Sequence, residues 1–170
     1  MLLEDANNQD YVAEYLRLKA VNDQFRARGK QWLWDTLETL CAELNGQLQA
    51  KLDGHLLQTG RQDWQFTIPT SIGEATMAGE RFGVRYGSQT LVVEVGWPQK
   101  PEHGFVPDGG LARGRVRLSA NVMLDPLIKA ELVLKRNGAD TVWHVLNHKK
   151  LSEPVTAVHL RAYLDLLLKD

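Results

Sequence analysis

A single cysteine, Cys41, stands among the 170 residues. It has no partner for an internal disulfide, and its isolation excludes every zinc site built on several cysteines. Leucines surround it at helical spacing, a setting that suits packing; a nucleophilic thiol needs polar, exposed surroundings. No apolar run approaches the 18 or so residues of a membrane-spanning helix, and the opening MLLEDANNQD carries acids where a secretory signal needs basic charge. The expectation is a soluble, cytoplasmic chain. Charge of one sign is missing too: 20 basic side chains face 21 acidic ones, for a net charge of −1. No global field therefore draws the chain to nucleic acid or to an acidic membrane, and such binding would need a local patch. The phosphate-binding patterns GxGxxG and GxxxxGK[ST], the nucleophile elbow GxSxG and the metalloprotease pattern HExxH are all absent. His144 and His148 have a spacing that would serve a helix, but in a strand it separates them by about 13 Å, too far to share one ion. No metal and no cofactor is expected.

With 44% apolar and 24% charged residues, the chain has the composition of one globular domain, taken here as residues 1–170. Residues 1–55 read as helix. Leu33, Leu37, Leu40, Leu44, Leu48 and Leu52 form a stripe with steps of 4, 3, 4, 4 and 4, which drifts from a seven-residue repeat and so packs on a globular core. Tyr11, Tyr15, Leu18, Asn22 and Phe25 continue a similar stripe upstream. Gly29, with Arg26, Arg28 and Lys30 around it, marks a possible helix end, where free carbonyls favour cations. No capping residue follows at 29–32, however, so a helix pair and one long helix both remain open.

Past residue 60 the period changes to two. Trp64, Phe66 and Ile68 alternate with polar residues, and five further runs follow, near 80–86, 90–97, 112–122, 128–136 and 141–147. Gly87-Ser88 and Asn137-Gly138 supply hairpin turns. The first pairs Tyr86 with Gln89 and sets Arg81 opposite Glu94. The second, with Arg136 opposite Ala139, sets Leu132 opposite Trp143 and Glu131 opposite His144. Ser152, Glu153 and Pro154 resemble a helix start, and Leu160, Leu164, Leu167 and Leu168 give residues 152–169 an apolar face. The predicted fold is α+β: a long N-terminal helix or helix pair, an antiparallel meander of about six strands over 61–148 packed on one face by helices, and a C-terminal helix.

Alternation sorts the side chains. Phe82, Val84, Tyr86, Leu91, Val93, Val95, Trp97, Val116, Leu118, Ile128, Leu132, Leu134, Trp143 and Val145 fall on the face that helices should cover. Arg81, Arg85, Glu94, Arg113, Arg115, Arg117, Glu131, Lys135, Asp140 and His144 fall on the other. The row Arg113, Arg115, Arg117 is a candidate anion site, because guanidinium forks match phosphate oxygens. The competing reading is a solvated ladder in which Glu94 and Glu131 flank the arginine strand. Six basic against three acidic groups leave an excess of three, and about three phosphate contacts would lose roughly 40-fold in affinity between 50 and 200 mM salt. With Trp97, Trp143 and Trp64 assigned to apolar rows, few aromatics remain to stack on bases. Nucleic-acid binding therefore ranks behind the ladder.

The run GWPQKPEHGFVPDGGLARG breaks the pattern. Fifteen residues from Trp97 to Leu111 exceed a usual hairpin connection, and Pro98, Pro101 and Pro107 with Gly104, Gly109 and Gly110 read as shaped chain. The meander puts this loop at the same sheet end as a second loop, 68–79. Trp97, Glu102, His103 and Asp108, faced by Ser71 and Glu74, are thus the ligand-site candidates, with Lys100 and Thr70 nearby. No catalytic residue is assigned, since acid–base work needs hydrogen-bond geometry that spacing does not fix. The leading expectation is a non-enzymatic binding module for a protein or small ligand. Self-association through exposed apolar positions such as Leu3, Tyr11 and Trp34 is part of that expectation. The alternatives are a hydrolase or an enzyme of phosphorylated substrates using the 97–111 loop, and nucleic-acid binding through Arg113, Arg115 and Arg117.

Overall fold

The computed structural model of the chain describes residues 2–51, 55–121, 123, 126–147 and 150–169. Helix α1, Leu2–Gln49, is a single element of 48 residues, about 72 Å long at 1.5 Å per residue. Gly29 does not end it. A Cβ at this position would stand 2.6 Å from Leu134 Cδ2, and the Gly29 carbonyl accepts a hydrogen bond from Trp143 Nε1 at 2.9 Å. Glycine is required because helix backbone presses directly on the sheet. The nearby cations serve tertiary contacts: Arg26 Nε donates to Leu111 O at 2.7 Å, and Lys30 pairs with Glu80.

From Phe25 onward α1 is a core helix. Leu33, Leu37, Leu40, Leu44 and Leu48 are buried, together with Trp34 and Cys41. Trp34 was expected at the surface, but one position after Leu33 and three before Leu37 it widens the apolar face beyond the leucine seam. Its ring tilts against Phe82 with centroids 5.5 Å apart. Upstream the same spacing buries nothing: residues 7–20 are all exposed, including Tyr11, Tyr15 and Leu18. This segment is an arm reaching past the sheet. Leu52 and His148, and the side chain of Leu3, lie outside the described residues.

The sheet has seven antiparallel strands in chain order: β1 Gln58–Thr70, β2 Gly73–Tyr86, β3 Gln89–Trp97, β4 Ala112–Ser119, β5 Leu127–Asn137, β6 Asp140–Asn147 and β7 Lys150–Pro154. The strand not expected is β7, whose residues resemble a helix start. It lies at an edge of the sheet, where a terminal proline forfeits no ladder bond. Helix α2, Ala157–Asp165, begins after it. There the His159 ring accepts from Thr156 N at 3.1 Å and reaches Glu153 at 3.1 Å. Segment 68–79 also differs from expectation, being strand on both sides of a tight turn at Ser71 and Ile72.

The first predicted hairpin is present, with Tyr86 opposite Gln89 and Arg81 opposite Glu94. The second is shifted: Asn137 pairs with Asp140, so Trp143 meets Leu134 and His144 meets Val133. Gly138 has φ +62° and Ala139 has no positive φ, so one glycine opens the turn where two left-handed residues were expected. A shift of two residues leaves side chains on their faces, and the predicted inner row packs on α1 and α2. Ile128 is the exception at 51% exposed. A register irregularity beside Val116 and Arg117 sets it opposite Arg117 and turns it outward. Among the described residues no helix is long and apolar enough to cross a membrane.

Candidate functional site

The 97–111 loop is held at many points. Gln99 Nε2 donates to Ala78 O at 2.8 Å, Gln99 N donates to His103 Nδ1 at 3.1 Å, and Leu111 N donates to Leu134 O at 2.8 Å. Short turns at Pro101–His103 and Pro107–Gly109 fold it back, and Asp108 takes φ 61° while its carbonyl accepts from Lys135. Gly104 lies against Ala75 and the Glu74 carbonyl, so the loop does sit beside the β1–β2 turn. The predicted polar residues do not join, however. Among the described residues no hydrogen bond or ion pair links Glu102, His103, Asp108, Ser71 and Glu74; Glu102, Asp108, Ser71 and Glu74 are exposed. Thr70 bonds within its own turn, to Gly73 O at 3.0 Å. Trp97 faces the helices, 5.7 Å from Lys30 Nζ.

The loop instead walls a cleft of about 640 Å³ against the arm, lined by Tyr15, Leu18, Lys19, Asn22 and Arg26 on one side and by Pro98, Lys100, Pro101 and Phe105 on the other. Leu18 and Phe105 are each close to half exposed. The three charged lining residues, Lys19, Arg26 and Lys100, are all basic. Phe105, Tyr15 and Leu18 were not predicted as a site. The available signal was a change of period, because 11, 15, 18, 22 and 25 step by 4, 3, 4 and 3, whereas the buried stripe below drifts away from seven.

The outer sheet face is concave. Arg115 of β4 lies 4.5 Å from the Phe66 ring of β1, although three strand spacings span about 14 Å in a flat sheet. The curl needs the cross-strand pair Gly79 and Gly96, since a Cβ on Gly79 would fall 2.1 Å from Val95 O. Trp64, Phe66 and Ile68 therefore point away from the helices and, with Ala75, Met77 and Val106 of the loop, build a second small core.

Burial also changes the charged rows. The register sets Arg115 between Glu94 and Glu131, as the meander predicts, but the face is not the wet ladder expected. Glu94 is 1% exposed and accepts from Arg115 at 2.7 Å and Arg117 at 2.8 Å. Arg113 is buried with its Nη2 3.9 Å from Glu131. Desolvation lowers its pKa, against the opposing pull of Glu131 and Asp108. The arginine row is thus largely occupied with internal partners. His144, expected to pair with Glu131, has a buried Nδ1 with no hydrogen-bond partner among the described residues. Among the described residues no cluster of three or more His, Cys, Asp or Glu side chains is placed to hold a metal ion.

Set against known proteins, the chain matches no family model, no curated protein and no solved structure.

Proposed function

We propose that the protein is a non-enzymatic interaction module that pairs with a second copy of itself through the arm of α1. The observation that carries this is the exposed arm beside a cleft of complementary charge. Residues 7–20 rise about 21 Å along the helix and present Tyr11, Val12, Tyr15, Leu16 and Leu18 to solvent, Tyr11 at 76%. A lone amphipathic helix of this length gains little stability by itself, so a partner that covers its apolar side has a large effect. The arm is also polar end to end: Asp10 and Glu14 precede Arg17 and Lys19. Two arms laid antiparallel set each acidic half against the basic rim of the other copy's cleft, where Lys19 and Lys100 stand. Such a two-fold arrangement uses the same patch twice and closes on itself.

Sedimentation velocity over a concentration series checks this. The expected result is a monomer–dimer equilibrium that Leu18→Glu shifts to monomer. Reversing Asp10 and Glu14 to lysine weakens the dimer about tenfold or more, and adding Lys19→Glu and Lys100→Glu to that chain restores it. A monomer at every concentration, or a dimer indifferent to these changes, refutes the reading.

A further inference from the structure

On the concave face, at the end of the sheet away from the loop, Gly60 and Gly83 are cross-strand partners with Val92 next in the row and Arg117 after it. A Cβ at Gly60 would meet nothing within 4 Å, and one at Gly83 only a carbonyl oxygen at 3.9 Å. Unlike the glycines of the curl, this pair leaves open space: a trough of about 340 Å³ with Gly60 and Gly83 in its floor and Val92 beside them. That volume lies in the range of small-molecule sites. Arg81 and Arg85 border it on the same strand face, about 13 Å apart at their Cα atoms with Gly83 midway. Two side chains of this length can converge on one anion from opposite sides.

Both guanidinium groups are oriented by neutral partners. Arg81 stacks over the Trp64 ring at 4.0 Å and donates twice to Gln62 Oε1, at 3.2 and 2.7 Å. Arg85 Nε donates to Gly87 O at 3.0 Å. Neither has an acidic partner within 4 Å among the described residues. Glu94, the cross-strand neighbour of Arg81, spends both oxygens on Arg115 and Arg117. Arg117, in the trough's own row, is paired with Glu94, and its buried Nε has no hydrogen-bond partner among the described residues. Arginines without an acidic partner among the described residues, beside an open stretch of glycine backbone, suit a phosphate group, because guanidinium forks match its oxygens; to reach one above Gly83, Arg81 swings off Trp64 and Arg85 off the Gly87 carbonyl.

We infer that this trough binds a phosphorylated small molecule, with Arg81 and Arg85 holding the phosphate above Gly83. A small molecule fits better than a nucleic-acid strand, since Arg81 already stacks over the Trp64 ring where a base would.

Calorimetric titration of the 170-residue chain with pyrophosphate at low salt tests the inference. Binding is expected, weakened about tenfold or more by Arg85→Gln and likewise by Arg81→Gln. Gly83→Val retains every arginine and fills the trough, so it should abolish binding while circular dichroism stays native. Arg136→Gln, remote from the trough, should leave affinity unchanged. Absence of binding by the native protein, or equal affinity in a folded Gly83→Val chain, overturns the site. So does a single-stranded oligonucleotide that binds more tightly than pyrophosphate and ignores Gly83→Val. The dimer does not enter this test, so each proposal can fail alone.

Discussion

One carboxylate organises the concave face. Glu94 stands opposite Arg81 and Arg115 in the strand register, and the sequence already shows the first of these pairings because Gly87-Ser88 fixes the β2–β3 hairpin. Its burial was not readable, since burial follows from the curl, and the curl follows from two glycines meeting across strands. For the same reason Arg113, Arg115 and Arg117 read from the sequence as a solvated ladder with Glu94 and Glu131, with no sign of their burial. Cys41 is the opposite case: its place among leucines sufficed to predict an inert thiol, and it is 3% exposed. Burial raises its pKa from 9.0 to about 11, with Glu38 adding to the effect. Above pH 9 the unfolded thiol loses its proton while the folded one keeps it. The native state then binds more protons, and its stability falls as pH rises, levelling off past about 11. Urea unfolding compared at about pH 8 and about pH 10.5 should show a loss of about 2 kcal/mol from this residue, absent in Cys41→Ala. Burial of Tyr163 also raises its pKa, which adds a decline of the same sign above its ordinary titration range.

Elements were easier to foresee than their ends. Periods of 3.6 and 2 separate α1 from the sheet, and glycine turns placed two hairpins. The Ser71–Ile72 turn lacks that chemistry, so the meander implies the β1–β2 pairing but not its register, and the strand ends within 68–79 read as loop. Register is what brings Gly60 beside Gly83 and Arg81 beside Gln62; without the turn, the trough had no signature. At β7, Ser-Glu-Pro mimics a helix start four residues early, at Ser152, and Thr156 with His159 supplies the real one. Gly29 shows how tertiary contact overrides propensity. In an exposed helix, glycine to alanine gains about 0.5–1 kcal/mol, and Gly46→Ala, with nothing within 4 Å of the new Cβ, should realise it. Gly29→Ala drives a methyl against Leu134, itself fully buried. Overpacking of about 1–3 kcal/mol outweighs the helical gain. Thermal unfolding of the two variants should therefore move in opposite directions.

At the scale of the molecule, the N-terminal stripe was legible as helix but not as arm. Leucine and tyrosine at helical spacing look alike whether a sheet lies beneath them or solvent does, and only the length of the sheet decides where cover ends. Burial begins around Val21 and Phe25. A chain starting at residue 21 should keep the melting temperature of the 170-residue monomer to within a few degrees while losing self-association, as followed by circular dichroism and light scattering. A large drop in melting temperature would show that the arm belongs to the folded core.

Because α1 passes from arm to core as one continuous helix, with Gly29 set between Leu134 and Trp143, the outer segment leaves the sheet along the axis of the core segment. Whatever grips its tip is held at a fixed bearing from the sheet. In a two-fold pair the phosphate troughs of both copies would then sit at a constant spacing, and a ligand carrying two phosphate groups would be measured against a rigid ruler.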